Sequence, residues 1–188
     1  MADQGTEGLL SPFLRARRVA AAKPYLHGRV LDVGCGSGAM AQFVPPERYV
    51  GVEPDEQSLA IARARYPRHR FISSLPPDGE QFDTVISLAV IEHVHDPAHF
   101  LRDLALRLKH ASSGRIVCTT PHPAADWIHT TGSAIGLFSR HASEEHEELL
   151  DRGKLENIAG LIGLRLAEYR RFLFGVNQLA VFDRANAS

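Results

Sequence analysis

Apolar positions change their spacing along this chain, and each change marks an element. Leu9, Leu10, Phe13, Leu14, Val19 and Ala20 recur at helical spacing. A leading helix, or two with a restart at Ser11-Pro12, is therefore expected up to Tyr25 and Leu26, with His27-Gly28 as the turn. Val30 to Val33 is a short apolar run interrupted only by Asp32. That is the composition of a strand buried on both faces of a parallel sheet. The chain then carries glycine at every second position, Gly34, Gly36 and Gly38, where backbone without a Cβ can approach a ligand closely.

Beyond this point strand and helix patterns alternate. Helices are expected near 38–43, 55–65, 96–109 and 146–162, and strands near 48–52, 69–72, 83–88 and 114–119. Two closing strands near 164–173 and 176–183 meet at a tight Gly175 turn. With Val30–Val33 this makes seven strands. Strands alternating with helices predict an α/β fold with a doubly wound, mostly parallel, Rossmann-like sheet. The closing hairpin has to add an antiparallel strand. Residues 1–188 read as one domain: an N-terminal helical segment over 1–28, a cofactor-binding core over 29–120, a lid over 121–145, and a C-terminal helix and hairpin over 146–188. The lid is a guess from Thr120 to Glu145, which carries two prolines, two glycines and the lone Trp127, because long loops in compact domains are usually functional or disordered.

Strand, glycine loop and helix together open a nucleotide-binding unit, since free N–H groups at a helix start favour an anionic or polar ligand. Tyr49 to Val52 is the next strand and ends in Glu53. An acid there can accept hydrogen bonds from both hydroxyls of a ribose. Asp55 and Asp96 are expected to cap the helices that follow them, with Pro97 in the first helical position.

These stretches resemble the class I S-adenosylmethionine-dependent methyltransferases. The resemblance rests on Leu31 to Gly38, Val50 to Asp55, Phe82 to Pro97 and Gly114 to Pro121, in that order. Glu92-His93-Val94 is most similar to small-molecule methyltransferases of the ubiquinone-biosynthesis type. The resemblance implies S-adenosylmethionine as cofactor and methyl transfer to a small-molecule acceptor, a hydroxyl by preference. It also implies that Asp32 orders the loop and reaches the cofactor's amino group. Gly34, Gly36 and Gly38 would give close approach, and Cys35 between them, also counted to the cofactor site, reads as passive although it stands near a helix start, where a thiol pKa can fall. Pro54 would border adenine and ribose, and Leu88 and Ala89 would line the methionine arm. The acid commonly found after the third strand is absent, leaving Ser73 or Ser74, followed by Leu75, for the adenine contact. His93 is the candidate general base. Glu92 would orient it or hold a divalent ion.

Composition narrows the alternatives. A net charge of -1 gives no basic footprint and argues against nucleic acid as substrate. No stretch is apolar enough to span a bilayer. With only two cysteines, neither in a metal spacing, a reducing cytoplasm is the default. Two other functions compete. A nicotinamide-dependent oxidoreductase shares the loop and the ribose acid but lacks the closing hairpin. A non-catalytic cofactor-binding subunit would keep the loop without turnover.

Overall fold

A computed structural model describes residues 11–109, 114–123 and 150–185. The other residues, including most of the segment read as a lid, with Trp127, His129 and His141, lie outside the described part. The glycine-loop strand β1 (Val30–Val33) is an inner strand of one sheet, flanked by β2 (Tyr49–Val52) and β4 (Thr84–Leu88). β3 (Arg70–Ile72), β5 (Arg115–Pro121), β6 (Leu164–Phe172) and β7 (Asn177–Arg184) complete the order β3-β2-β1-β4-β5-β7-β6. The first five are parallel, with Asp32 beside Gly51 and Ile86. β7 runs antiparallel between β5 and β6, as the hairpin requires. Its turn carries left-handed backbone at Leu173, Phe174 and Gly175.

Helices cover both faces, which is why β1 and β2 are buried at every position. On one face α1 (Ser11–Ala22) and α2 (Glu56–Arg65) pack Val19, Ala22, Leu59 and Ala62 against Val30, Ile86 and Val117. On the other, α3 (Pro97–Leu106) and a later helix, α4 (Arg152–Leu161), pack Leu101, Leu104, Leu155 and Ala159 against Leu31, Val85 and Ile116. Asp55 Oδ2 accepts from the Ser58 amide at 2.8 Å, and Asp96 Oδ1 from the His99 amide at 2.9 Å. Both expected N-caps are therefore present, and they fix where α2 and α3 leave the carboxyl edge of the sheet.

The helix expected near 38–43 does not form. The chain makes successive three-residue turns instead, Ala41 N–H to Gly38, Phe43 N–H to Met40 and Val44 N–H to Ala41, with one short 3₁₀ helix at Ala41–Phe43. The cause is downstream. Pro45 supplies no N–H and disfavours helical backbone at Val44. Six residues between Gly38 and Pro45 are too few to repay helix nucleation.

Candidate functional site

Two strands and a helix meet at one place. The loop after β1, the carboxyl end of β4 and one face of α1 enclose a cavity of about 460 Å³, within the range of small-molecule sites. Asp32, Gly34, Cys35, Gly36, Leu88 and Ala89 line it. Arg15, Arg18 and Val19 of α1, with Ser58 and Ile61 of α2, close the remaining sides. The sequence left open whether α1 packs on the sheet or covers the site. It does both, because Val19 and Ala22 enter the core while the arginines face the cavity.

The three glycines have different reasons to be glycine. All have positive φ, at 74°, 50° and 80° for Gly34, Gly36 and Gly38. A Cβ on Gly34 would lie 2.3 Å from Val90 Cγ2, and one on Gly38 3.1 Å from Tyr66 Cδ2. Those two serve packing, and Gly38 does not line the cavity. A Cβ on Gly36 would meet no atom within 4 Å. Its bare face opens on the cavity, as a loop built for close ligand approach requires. Ala89, at φ 57°, is a left-handed non-glycine residue in the same wall, with its amide bonded to Thr119 O at 2.8 Å.

Without a helix behind it, the loop spends its amides elsewhere. Gly34 and Cys35 both donate to Val52 O, at 2.9 and 3.0 Å. Gly36 N–H donates to Glu53 Oε2 at 2.9 Å, and Asp55 N–H to Glu53 Oε1 at 2.9 Å. Glu53 thus pins the loop from the end of β2. Each oxygen keeps a further lone pair for a ligand. The expectation of helix N–H groups at the loop fails for the same reason as the helix. Burial and the carboxylates of Asp32 and Glu53 raise the Cys35 thiol strongly. Cys118 is likewise buried, pushed up to about 12.

Asp32 is fully enclosed, and burial pushes it up to about 7. The Tyr49 hydroxyl donates to Asp32 Oδ2 at 2.6 Å and holds that rise back. Sequence reasoning missed Tyr49, whose position at the head of an apolar strand reads as core. The signal that finds it is the need of any buried carboxylate for a donor. Arg18 was missed too. Its Nε donates to Asn177 Oδ1 at 3.0 Å, which ties α1 to β7. Burial lowers the guanidinium pKa and the nearby Glu92 carboxylate counters it.

Glu92 and His93 lie on the short 3₁₀ turn Ile91–His93 after β4. Glu92 is buried, and its Oε2 has no hydrogen bond among the described residues. Burial raises its pKa, while His93 and Arg18 pull it down. His93 is exposed, and neither residue lines the cavity. Pro54, Ser73 and Ser74 are exposed beyond β2 and β3, and Leu75 packs on the core; none lines the cavity. Among the described residues no group of three or more His, Cys, Asp or Glu is placed to hold a metal ion. No helix among them is long and apolar enough to cross a membrane.

A family model described as "Methyltransferase domain" matches residues 8–169. The ubiquinone biosynthesis O-methyltransferase of Roseobacter denitrificans is 34% identical over 116 residues, covering 55% of this chain and 45% of that protein. The chain thus spans about half the length of the curated relatives it matches. Among solved structures, magnesium protoporphyrin IX methyltransferase from Synechocystis, with bound S-adenosylhomocysteine, superposes with a TM-score of 0.68 at 17% identity, covering 97% of this chain and 90% of that one. An S-adenosylmethionine-dependent methyltransferase from Mesorhizobium loti gives a TM-score of 0.64 at 19% identity, covering 93% and 97%. At such identities these two show the fold alone. The cavity's volume, the open face of Gly36 and the Asp32 carboxylate in its lining, with Glu53 on the Gly36 amide beside it, fit S-adenosylmethionine. The chain belongs to the methyltransferase-domain family.

Proposed function

We propose that this protein transfers a methyl group from S-adenosylmethionine to the hydroxyl of a small-molecule acceptor. The observation that carries the reading is Gly36, whose bare face opens on a cavity lined by Asp32 and whose amide donates to Glu53, itself outside the cavity lining. The O-methyltransferase similarity of the Roseobacter relative supports a hydroxyl acceptor. The cofactor, when bound, supplies a methyl on a positively charged sulfur, and its leaving group is a neutral thioether.

The chain's own residues then have defined tasks. Glu53 accepts the ribose hydroxyls on the lone pairs left free by its two backbone donors. Arg18 offers its guanidinium to the methionine carboxylate, held at the right angle by Asn177. Asp32 faces the cofactor's amino group. Leu88 and Ala89 form the wall of the methionine arm, and the adenine end reaches beyond the cavity toward Pro54, Ser73 and Ser74. In-line displacement needs mainly that acceptor and methyl be aligned. His93 removes the acceptor proton, and Glu92 beneath it sets its position. One observation favours a second reading, in which alignment alone suffices: His93 is exposed and stands outside the cavity lining.

Two results test the cofactor assignments. Glu53→Gln keeps the shape and removes the charge. It should weaken S-adenosylhomocysteine binding by about 1–3 kcal/mol, the scale of a hydrogen bond to a charged group. Unchanged calorimetric affinity would remove Glu53 from the ribose site. Asp32 gives a pH test. Its pKa in the free protein is raised to about 7, and a cationic ligand lowers it by favouring the carboxylate. The bound form therefore holds fewer protons, and affinity should rise with pH from about 6 to about 8. Asp32→Asn should flatten that rise. Affinity independent of pH in the unaltered protein would show that Asp32 does not meet the cofactor's charge.

A further inference from the structure

Asp32 lines the cavity, but the group that holds it does not. Tyr49 is 1% exposed and stands outside the cavity lining. β1 and β2 pair in parallel, with Val30 beside Tyr49 and Asp32 beside Gly51. Side chains alternate along a strand, so Tyr49 and Asp32 occupy diagonal positions on one face of the sheet. Gly51 puts no side chain between them. A Cβ there would lie 2.7 Å from Phe71 Cδ1 and 2.9 Å from Cys35 Sγ. The phenol thus reaches Asp32 Oδ2, at 2.6 Å, the length of an O–H donor on a carboxylate. His69 and Phe71 hold its ring edge-on, with centroids at 5.5 and 5.6 Å. His69 is itself tied down, its Nε2 donating to Val44 O at 2.9 Å.

A buried phenol on a carboxyl does two things. It occupies one oxygen, which orients the group, and it favours the ionised form. Asp32 needs both. Burial pushes it up to about 7, and the Glu53 carboxylate adds to the rise. Cys35 beside it is a thiol raised far above its usual range and brings no charge. Arg15 and Arg18 of α1 stand in the same cavity lining, and the lining from β4 and α2 is uncharged. Tyr49 is the side chain that donates to the carboxyl. A cationic ligand favours the carboxylate over the neutral acid, so the phenol prepares the form such a ligand selects.

We infer that Tyr49 is a positioning residue of the cofactor site, holding Asp32 from outside the cavity for the cationic amino end of the ligand. The inference rests on the reading that this cavity takes S-adenosylmethionine with its amino group at Asp32.

The test is Tyr49→Phe in the full chain, which keeps the ring and removes the hydroxyl. Loss of one hydrogen bond to a charged group moves a carboxyl by about one pH unit. Calorimetric titration with S-adenosylhomocysteine should therefore show about tenfold weaker binding than the unaltered chain at about pH 6, and binding within about twofold of it at about pH 9. In an Asp32→Asn background the same substitution should change affinity less than about twofold at either pH. A phenol that only supports the fold would cost the same at both pH values and in both backgrounds, and that result would overturn the inference. The second readout is the Asp32 carboxyl carbon resonance of the ligand-free chain, whose titration midpoint should rise by about one unit in Tyr49→Phe. A midpoint left in place is the failure of this inference. Affinity independent of pH in the unaltered chain, with the Asp32 midpoint still moved by Tyr49→Phe, is the failure of the cofactor reading. Should Tyr49→Phe not fold, uniform 3-fluorotyrosine labelling of the unaltered chain decides. Its more acidic phenol donates more strongly, so the midpoint should fall, and a midpoint unchanged or raised would overturn the inference.

Discussion

Gly36→Val should abolish cofactor binding, with at least a 100-fold loss of affinity, while the fold survives. Gly36 has φ 50° and an open side facing the cavity. A valine there fills ligand space and sits in left-handed backbone, which costs an L-residue roughly 1–2 kcal/mol. The β-branch adds rotamer restriction. No protein atom within 4 Å has to move for the Cβ, so thermal unfolding should shift by only a few degrees, the scale of about 1 kcal/mol in a domain this size. Gly34→Val makes the contrast. Its Cβ collides with Val90 at 2.3 Å, and the expected outcome is loss of the fold itself. Normal affinity in folded Gly36→Val would show that the ligand does not pass this face of the loop.

His93→Ala carries the second large effect. If His93 takes the acceptor proton, turnover should fall by about 10²–10⁴-fold, the usual range for acid–base catalysis. Cofactor affinity should hardly change, because His93 is outside the cavity lining. The pH–rate profile should lose one of its limbs. A structural role for His93 gives a different pattern, with reduced stability and the pH dependence of the remaining activity intact. That pattern, or near-normal turnover, would favour transfer by alignment alone. The measurement needs an acceptor, and hydroxylated aromatic compounds are the first panel to try, given the O-methyltransferase relative.

Much of the fold was legible because burial writes itself into spacing. β1 and β2 are buried at every position, and both read as short apolar runs, broken in β1 only by Asp32. The caps at Asp55 and Asp96 were legible because the side chain that ends one element starts the next. The 38–43 helix was misread because its fate depends on Pro45 and Pro46, beyond the window in which the helical pattern appears. Part of the candidate site was legible for a different reason. Gly36 and Glu53 are close both in sequence and in space. Arg18 was not, since its partner Asn177 is 159 positions away and a basic residue on an amphipathic helix usually means a solvated face. Tyr49 escaped because a tyrosine in a buried strand looks like core until the carboxylate beside it is counted. Ser73, Ser74 and His93 stand where the sequence put them, at strand ends, but strand position alone does not say which side chains turn toward a cavity.

The most direct test is a crystal structure of the protein grown with S-adenosylhomocysteine. The account predicts that the ligand fills the 460 Å³ cavity, its ribose hydroxyls on Glu53, its backbone passing Gly36 and its carboxylate on Arg18. Ligand bound elsewhere, or a cavity still empty at saturating S-adenosylhomocysteine, would contradict it.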